Sequence, residues 1–83
     1  MSLTKQQIES EGWIPRDEFN NFWTKDDEGH TAFLQFYPVW EGIPSWITIG
    51  YIIDVDNYGE YRFSGSCPDI SDLRYICKLI QLK

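Results

Sequence analysis

Few residues in this chain are equipped for chemistry. His30 is the only histidine, and it follows Asp26, Asp27 and Glu28 in a run that also holds Gly29. Carboxylates beside an imidazole can bind a divalent cation or supply a general base. No second cluster supplies the remaining ligands, and acids grouped around a glycine are expected at a solvated hairpin tip. The stretch Asp54-Val55-Asp56-Asn57-Tyr58-Gly59 begins like a calcium loop. Tyr58, however, stands where an oxygen ligand is needed, and Gly65 occupies the place of the bidentate glutamate. Cys67 precedes Pro68 and has only His30 to activate it, whereas nucleophilic catalysis needs a base held by a third group. Gly59 and Gly65 are too isolated to cradle a phosphate. The expectation is a protein that is not an enzyme and takes no metal or cofactor.

Binding is better provided for than catalysis. The stretch Tyr37-Pro38-Val39-Trp40-Glu41-Gly42-Ile43-Pro44-Ser45-Trp46 puts two Trp, one Tyr and two Pro into a connection between strands. Proline stiffens such a loop and lowers the entropy lost on binding. Exposed Trp and Tyr are flat platforms for bases, sugars or a protein partner. The bland reading of the same stretch is a mini-core under a long loop. Tyr37, Trp40 and Trp46, with Arg62 or Arg16 to meet a phosphate, form the candidate ligand- or partner-binding set.

Elements must hold these residues in place. Eighty-three residues make one small domain, expected to span 1–83, and 17% aromatic content lets so short a chain bury a dense core. Thirteen acids against seven bases give a net charge of −6, and no Lys/Arg cluster exists to grip nucleic acid or an anionic membrane. No apolar run approaches a membrane span. A Cys67–Cys77 bridge is geometrically possible if Cys77 lies on a helix, but the chain opens polar from Ser2 to Gln7, unlike a secretory leader, so reduced thiols in a cytoplasm are the expectation.

The expected architecture is α+β. Thr4 and Gln7 form a capping box, Leu3 and Ile8 a staple, and Gly12 stops the short first helix with Trp13 folding back. After a break at Pro15, strands are expected over Phe19–Thr24, Thr31–Tyr37, Trp46–Val55 and Tyr61–Ser64. Short connections make them a four-stranded antiparallel meander. Alternation puts Ile47, Ile49, Tyr51, Ile53 and Val55 on the core face, with Tyr61 and Phe63 likewise. A helix capped by Asp69 then runs from Ile70 to Leu82. Its stripe Ile70, Leu73, Ile76, Cys77, Ile80 covers one sheet face. A second stripe, Tyr75, Leu79 and Leu82, either touches a loop or the first helix, or is a partner surface. As a partner surface it predicts a homodimer. Both ends read as capped helices, so the domain is expected to be complete.

Leu3-Thr4-Lys5-Gln6-Gln7-Ile8 leading to Gly12-Trp13 resembles the opening of short uncharacterised proteins of bacteriophages and gut bacteria. Phe63-Ser64-Gly65-Ser66-Cys67-Pro68-Asp69-Ile70, with Leu73, Ile76 and Leu79, resembles their ending. The resemblance implies a setting, an accessory protein that binds a host factor in the host cytoplasm, and no residue roles. Two functional expectations follow. One is a non-catalytic, homodimeric interaction protein. The other is a binder that sequesters a small nucleotide-like ligand on an aromatic and arginine surface.

Overall fold

The computed structural model describes residues 2–52 and 59–80; Ile53, the calcium-like stretch from Asp54 to Tyr58 (Val55 included) and Leu82 lie outside them. A short helix α1 (Lys5–Ser10) precedes five strands: β1 (Ile14–Asp17), β2 (Phe22–Asp27), β3 (His30–Tyr37), β4 (Trp46–Ile52) and β5 (Glu60–Ser66). Helix α2 (Ile70–Leu79) follows. The strands lie side by side in sequence order, each antiparallel to its neighbour. The fold is α+β with one five-stranded sheet.

The helix ends are written locally. Thr4 Oγ1 accepts from the Gln7 N–H at 3.1 Å, and Gln7 Oε1 accepts from the Thr4 N–H at 3.0 Å. Asp69 caps α2 in the same way, with Asp72 as its reciprocal partner. Gly12 ends α1 at φ +95°, a left-handed conformation open to glycine without steric cost. A helix of six residues has no independent stability, and α1 is held by Leu3, Ile8 and Trp13, all buried.

The strand count differs from the four expected. Ile14–Asp17 pairs with β2 although it contains Pro15. Proline is excluded from central strands because it cannot donate to the ladder, but β1 is an edge. Phe19, expected to open a strand, is 96% exposed in the β1–β2 turn. Asp17 shapes that turn by accepting from the Phe19 and Asn20 N–H groups.

Register sorts the sheet into two faces. Trp23, Leu34, Ile49 and Phe63 are matched across four strands, with Ala32, Phe36, Ile47 and Tyr51 on the same side. Both helices lie against this face: Ile8, Trp13, Leu73 and Ile76 join its residues in one buried cluster. Thr24, Phe33 and Gly50 belong to the other face, as do Phe22, Gln35 and Thr48.

Tyr61 is a correction. A bulge between Ile49 and Gly50 matches Ile49 to Phe63 but Gly50 to Tyr61, leaving Arg62 as the extra residue. Simple alternation fails across an inserted residue. Phe63 stays with the core while Tyr61 passes to the second face, 66% exposed and edge-on to Phe33 at 5.7 Å.

Candidate functional site

The loop singled out by its tryptophans is a small hairpin. Trp40 and Ile43 exchange both backbone hydrogen bonds, the Trp40 N–H to Ile43 at 3.1 Å and the Ile43 N–H to Trp40 at 2.8 Å. Glu41 (φ +45°) and Gly42 (φ +79°) form the two-residue turn between them, both left-handed as the tightest hairpins require. Two residues exchanging both bonds carry their side chains on one side of the ribbon, so Trp40 and Ile43 stand together. Pro38 and Pro44 flank the hairpin and fix φ on either side.

This tongue is not a mini-core. Every residue from 37 to 44 is exposed. Trp40 is 68% exposed, Ile43 58% and Val39 52%, although each is a large apolar side chain. Tyr37 and Trp46 are matched across β3 and β4 at its root, half exposed on the second sheet face. Trp46 Nε1 donates to Ser64 Oγ at 3.1 Å, which holds the indole along the sheet. Behind the root, Ser45 and Cys67 close two hydrogen bonds: Ser45 Oγ to the Cys67 carbonyl at 2.6 Å, and the Cys67 N–H to the Ser45 carbonyl at 2.8 Å. The tongue is therefore anchored in the junction between β5 and α2.

The two arginines expected to serve the aromatic platform are separated. Arg16 lies on the second sheet face, where its Nε donates to Thr24 Oγ1 at 2.8 Å. It borders a depression of about 400 Å³ that also meets Gln35, Asn20 and Tyr61. Arg62 is on the helix side, its guanidinium 5.3 Å from the Tyr51 ring and 3.2 Å from Glu60. One ligand cannot stack on Trp40 or Trp46 and use both arginines.

Tyr75 and Leu79, one turn apart on α2, are each 63% exposed. Neither is buried against a loop or α1. Leu82 lies outside the described residues.

The acidic run around His30 is not wholly a solvated tip. Only Glu28 and Gly29 form the turn, with Asp27 matched to His30 at the strand ends. Asp27 is buried and accepts from the Tyr51 hydroxyl at 2.6 Å. Among the described residues no group of three or more His, Cys, Asp or Glu side chains could hold a metal ion. Cys67 and Cys77 are free thiols. Burial pushes Cys67 up to about 12 and Cys77 up to about 11. A thiolate is the reactive species, so neither is primed as a nucleophile near neutral pH.

Sequence reasoning missed one feature altogether. Beside α2, Trp13, Leu73 and Cys77 line a cleft of about 260 Å³ edged by Lys25, Arg74, Lys78 and Glu11. Lys25 Nζ donates to the Glu11 carbonyl at 2.8 Å and lies 5.6 Å from the Trp13 ring centre. Arg74 Nε donates to Glu11 Oε1 at 2.7 Å. These bases come from β2 and α2, 49 or more positions apart in the sequence, so no run of Lys or Arg announces them.

No described helix is long and apolar enough to cross a membrane. No family model matches the chain, and neither does any curated protein or solved structure.

Proposed function

We propose that this protein is a non-catalytic interaction module whose principal contact surface is the tongue from Tyr37 to Trp46. The observation that carries this reading is the pairing of Trp40 with Ile43 in a pre-formed hairpin, both more than half exposed. Aromatic anchors held rigidly at a surface make interface hot spots, because little conformational freedom is lost when they are buried. Tyr75 and Leu79 on α2 form a second apolar exposure of the kind a homodimer covers. In the phage-like setting suggested by the two ends of the sequence, the partner would be a host factor in the host cytoplasm. The test is affinity capture from lysate with the intact protein and with Trp40→Ala, read by mass spectrometry. A partner retained by the first and lost with the second, whether a lysate protein or untagged copies of this chain added to the lysate, supports the reading; identical capture of both kinds overturns it.

A second reading is favoured by Arg16 alone. Its guanidinium borders an open depression with Gln35 and Tyr61, an arrangement suited to an anionic, ring-bearing ligand such as a nucleotide. A thermal-shift screen against nucleotides tests it. A stabilisation that disappears in Arg16→Ala supports ligand sequestration, and a flat screen removes it.

A further inference from the structure

The tongue and the cleft beside α2 are complementary in charge, and each carries apolar surface. The chain carries −6 overall, yet the cleft is edged by three cations (Lys25, Arg74 and Lys78) against one anion, Glu11. Three other depressions among the described residues have no such excess. Asp27, Glu28 and Glu60 face Arg62 in one, Glu9, Asp17 and Glu18 face Lys5 in a second, and Asp17 offsets Arg16 in a third. The floor of the basic cleft is apolar, built from Trp13, Leu73 and Cys77. Its volume of about 260 Å³ is below the roughly 300–1,000 Å³ of drug-sized ligand pockets, and is on the scale of one large side chain.

The tongue presents the converse. No Lys or Arg occurs between Lys25 and Arg62, and Glu41, at the apex of the turn, is the one formal charge from Tyr37 to Trp46. Trp40 and Ile43 are the paired residues on either side of that turn. An apolar wedge tipped by an anion faces an apolar floor edged by cations. Opposed potentials of this kind fix partner and register across an interface. Both halves are held in place before contact, since Glu11 pins Lys25 and Arg74, and the Ser45–Cys67 bonds anchor the tongue.

Resting on the tongue as an interaction surface, we infer that its partner is a second copy of this chain, Trp40 entering the second copy's basic cleft with Glu41 against Lys78. The contact joins two different patches, tongue to cleft. Copies that exchange both contacts about a twofold axis close as a dimer, and copies that make one contact at a time continue into rings or filaments. A contact this small falls at the weak end of protein interfaces, so association is concentration-dependent.

Sedimentation velocity on the full chain over rising concentration tests this, with Trp40→Ala and Lys78→Glu as variants. Both side chains are exposed, and far-ultraviolet circular dichroism checks that the fold is kept. The wild type gains mass with concentration, while each variant alone stays monomeric. Mixed together they form a 1:1 complex and nothing larger, because Trp40→Ala keeps the cleft and Lys78→Glu keeps the tongue. Glu41→Lys combined with Lys78→Glu in one chain restores the association that Lys78→Glu loses. A wild type that remains monomeric, or oligomers that survive both variants, overturns the inference. A monomer that still captures a lysate protein through Trp40 overturns self-docking while leaving the interaction reading intact.

Discussion

Tyr51 donates its phenolic hydrogen to Asp27 Oδ2 at 2.6 Å, reaching from β4 to β2 over a position where β3 presents only the methyl of Ala32. A larger residue at 32 would fill the space the ring crosses. The bond satisfies a buried carboxylate at the end of the sheet farthest from the tongue. Tyr51→Phe leaves that carboxylate without its donor, which costs about 1–3 kcal/mol. Urea unfolding at neutral pH reads the loss as a lower midpoint at unchanged slope. Asp27→Asn, which keeps an acceptor, is the milder substitution.

Three groups make the fold sensitive to alkali. Burial lifts Cys67 from 9.0 to about 12 and Cys77 from 9.0 to about 11. Burial and the Asp27 hydrogen bond lift Tyr51 from 10.0 to about 12. In each case the native state holds its proton more tightly than the unfolded chain. Their contribution is therefore complete below about pH 9 and is lost as pH climbs towards 12. The melting temperature is expected to be steady from pH 7 to 8.5 and to fall steeply above it. Thiol titration with a chromogenic disulfide is expected to be slow until the protein unfolds.

Gly50 sits at the bulge where β4 is matched to β5, with no room for a side chain. An alanine Cβ there would collide with the Glu60 carbonyl oxygen and lie 2.8 Å from the Phe33 ring. The backbone oxygen cannot swing aside as a flexible side chain could. Gly50→Ala is expected to destabilise by about 1–3 kcal/mol or more and to lift β5 at its bulge. Amide exchange should show lost protection concentrated in Glu60 to Phe63.

Ser45 links the tongue to the core through the Cys67 carbonyl. Ser45→Ala leaves that buried acceptor with one partner fewer, at a cost of about 1–3 kcal/mol. If the bond also holds the tongue in place, the variant loses Trp40-dependent binding by more than its melting temperature alone explains. Binding measured well below the melting transition separates the two effects.

Much of the fold was legible locally. Thr4, Gln7, Gly12 and Asp69 mark helix ends by hydrogen bonds spanning a few residues, and the structure has each in its expected place. Leu73 and Ile76 face the sheet because helical periodicity sets their direction, whatever they pack on. Pro15 misled, because whether a strand tolerates proline depends on its being an edge, a property of the whole sheet. Tyr61 misled because one inserted residue reverses the alternation on which the reading rested.

The aromatic loop shows the division most clearly. Its composition, two tryptophans and two prolines from Tyr37 to Trp46, raised the expectation of a binding surface. Whether those rings turned inward as a mini-core or outward as a tongue depended on the Trp40–Ile43 ladder and the Ser45–Cys67 anchor. The basic cleft lay further out of reach. Lys25 and Arg74 become neighbours only when β2 and α2 both close on Glu11, and charges so far apart in sequence are joined by the tertiary fold alone. Sequence by itself determined the caps, the helical core stripe and the acidic balance, since these follow from short-range bonding and composition. Tertiary structure decided which apolar residues face solvent and which charges share a surface, because both depend on what the rest of the chain covers.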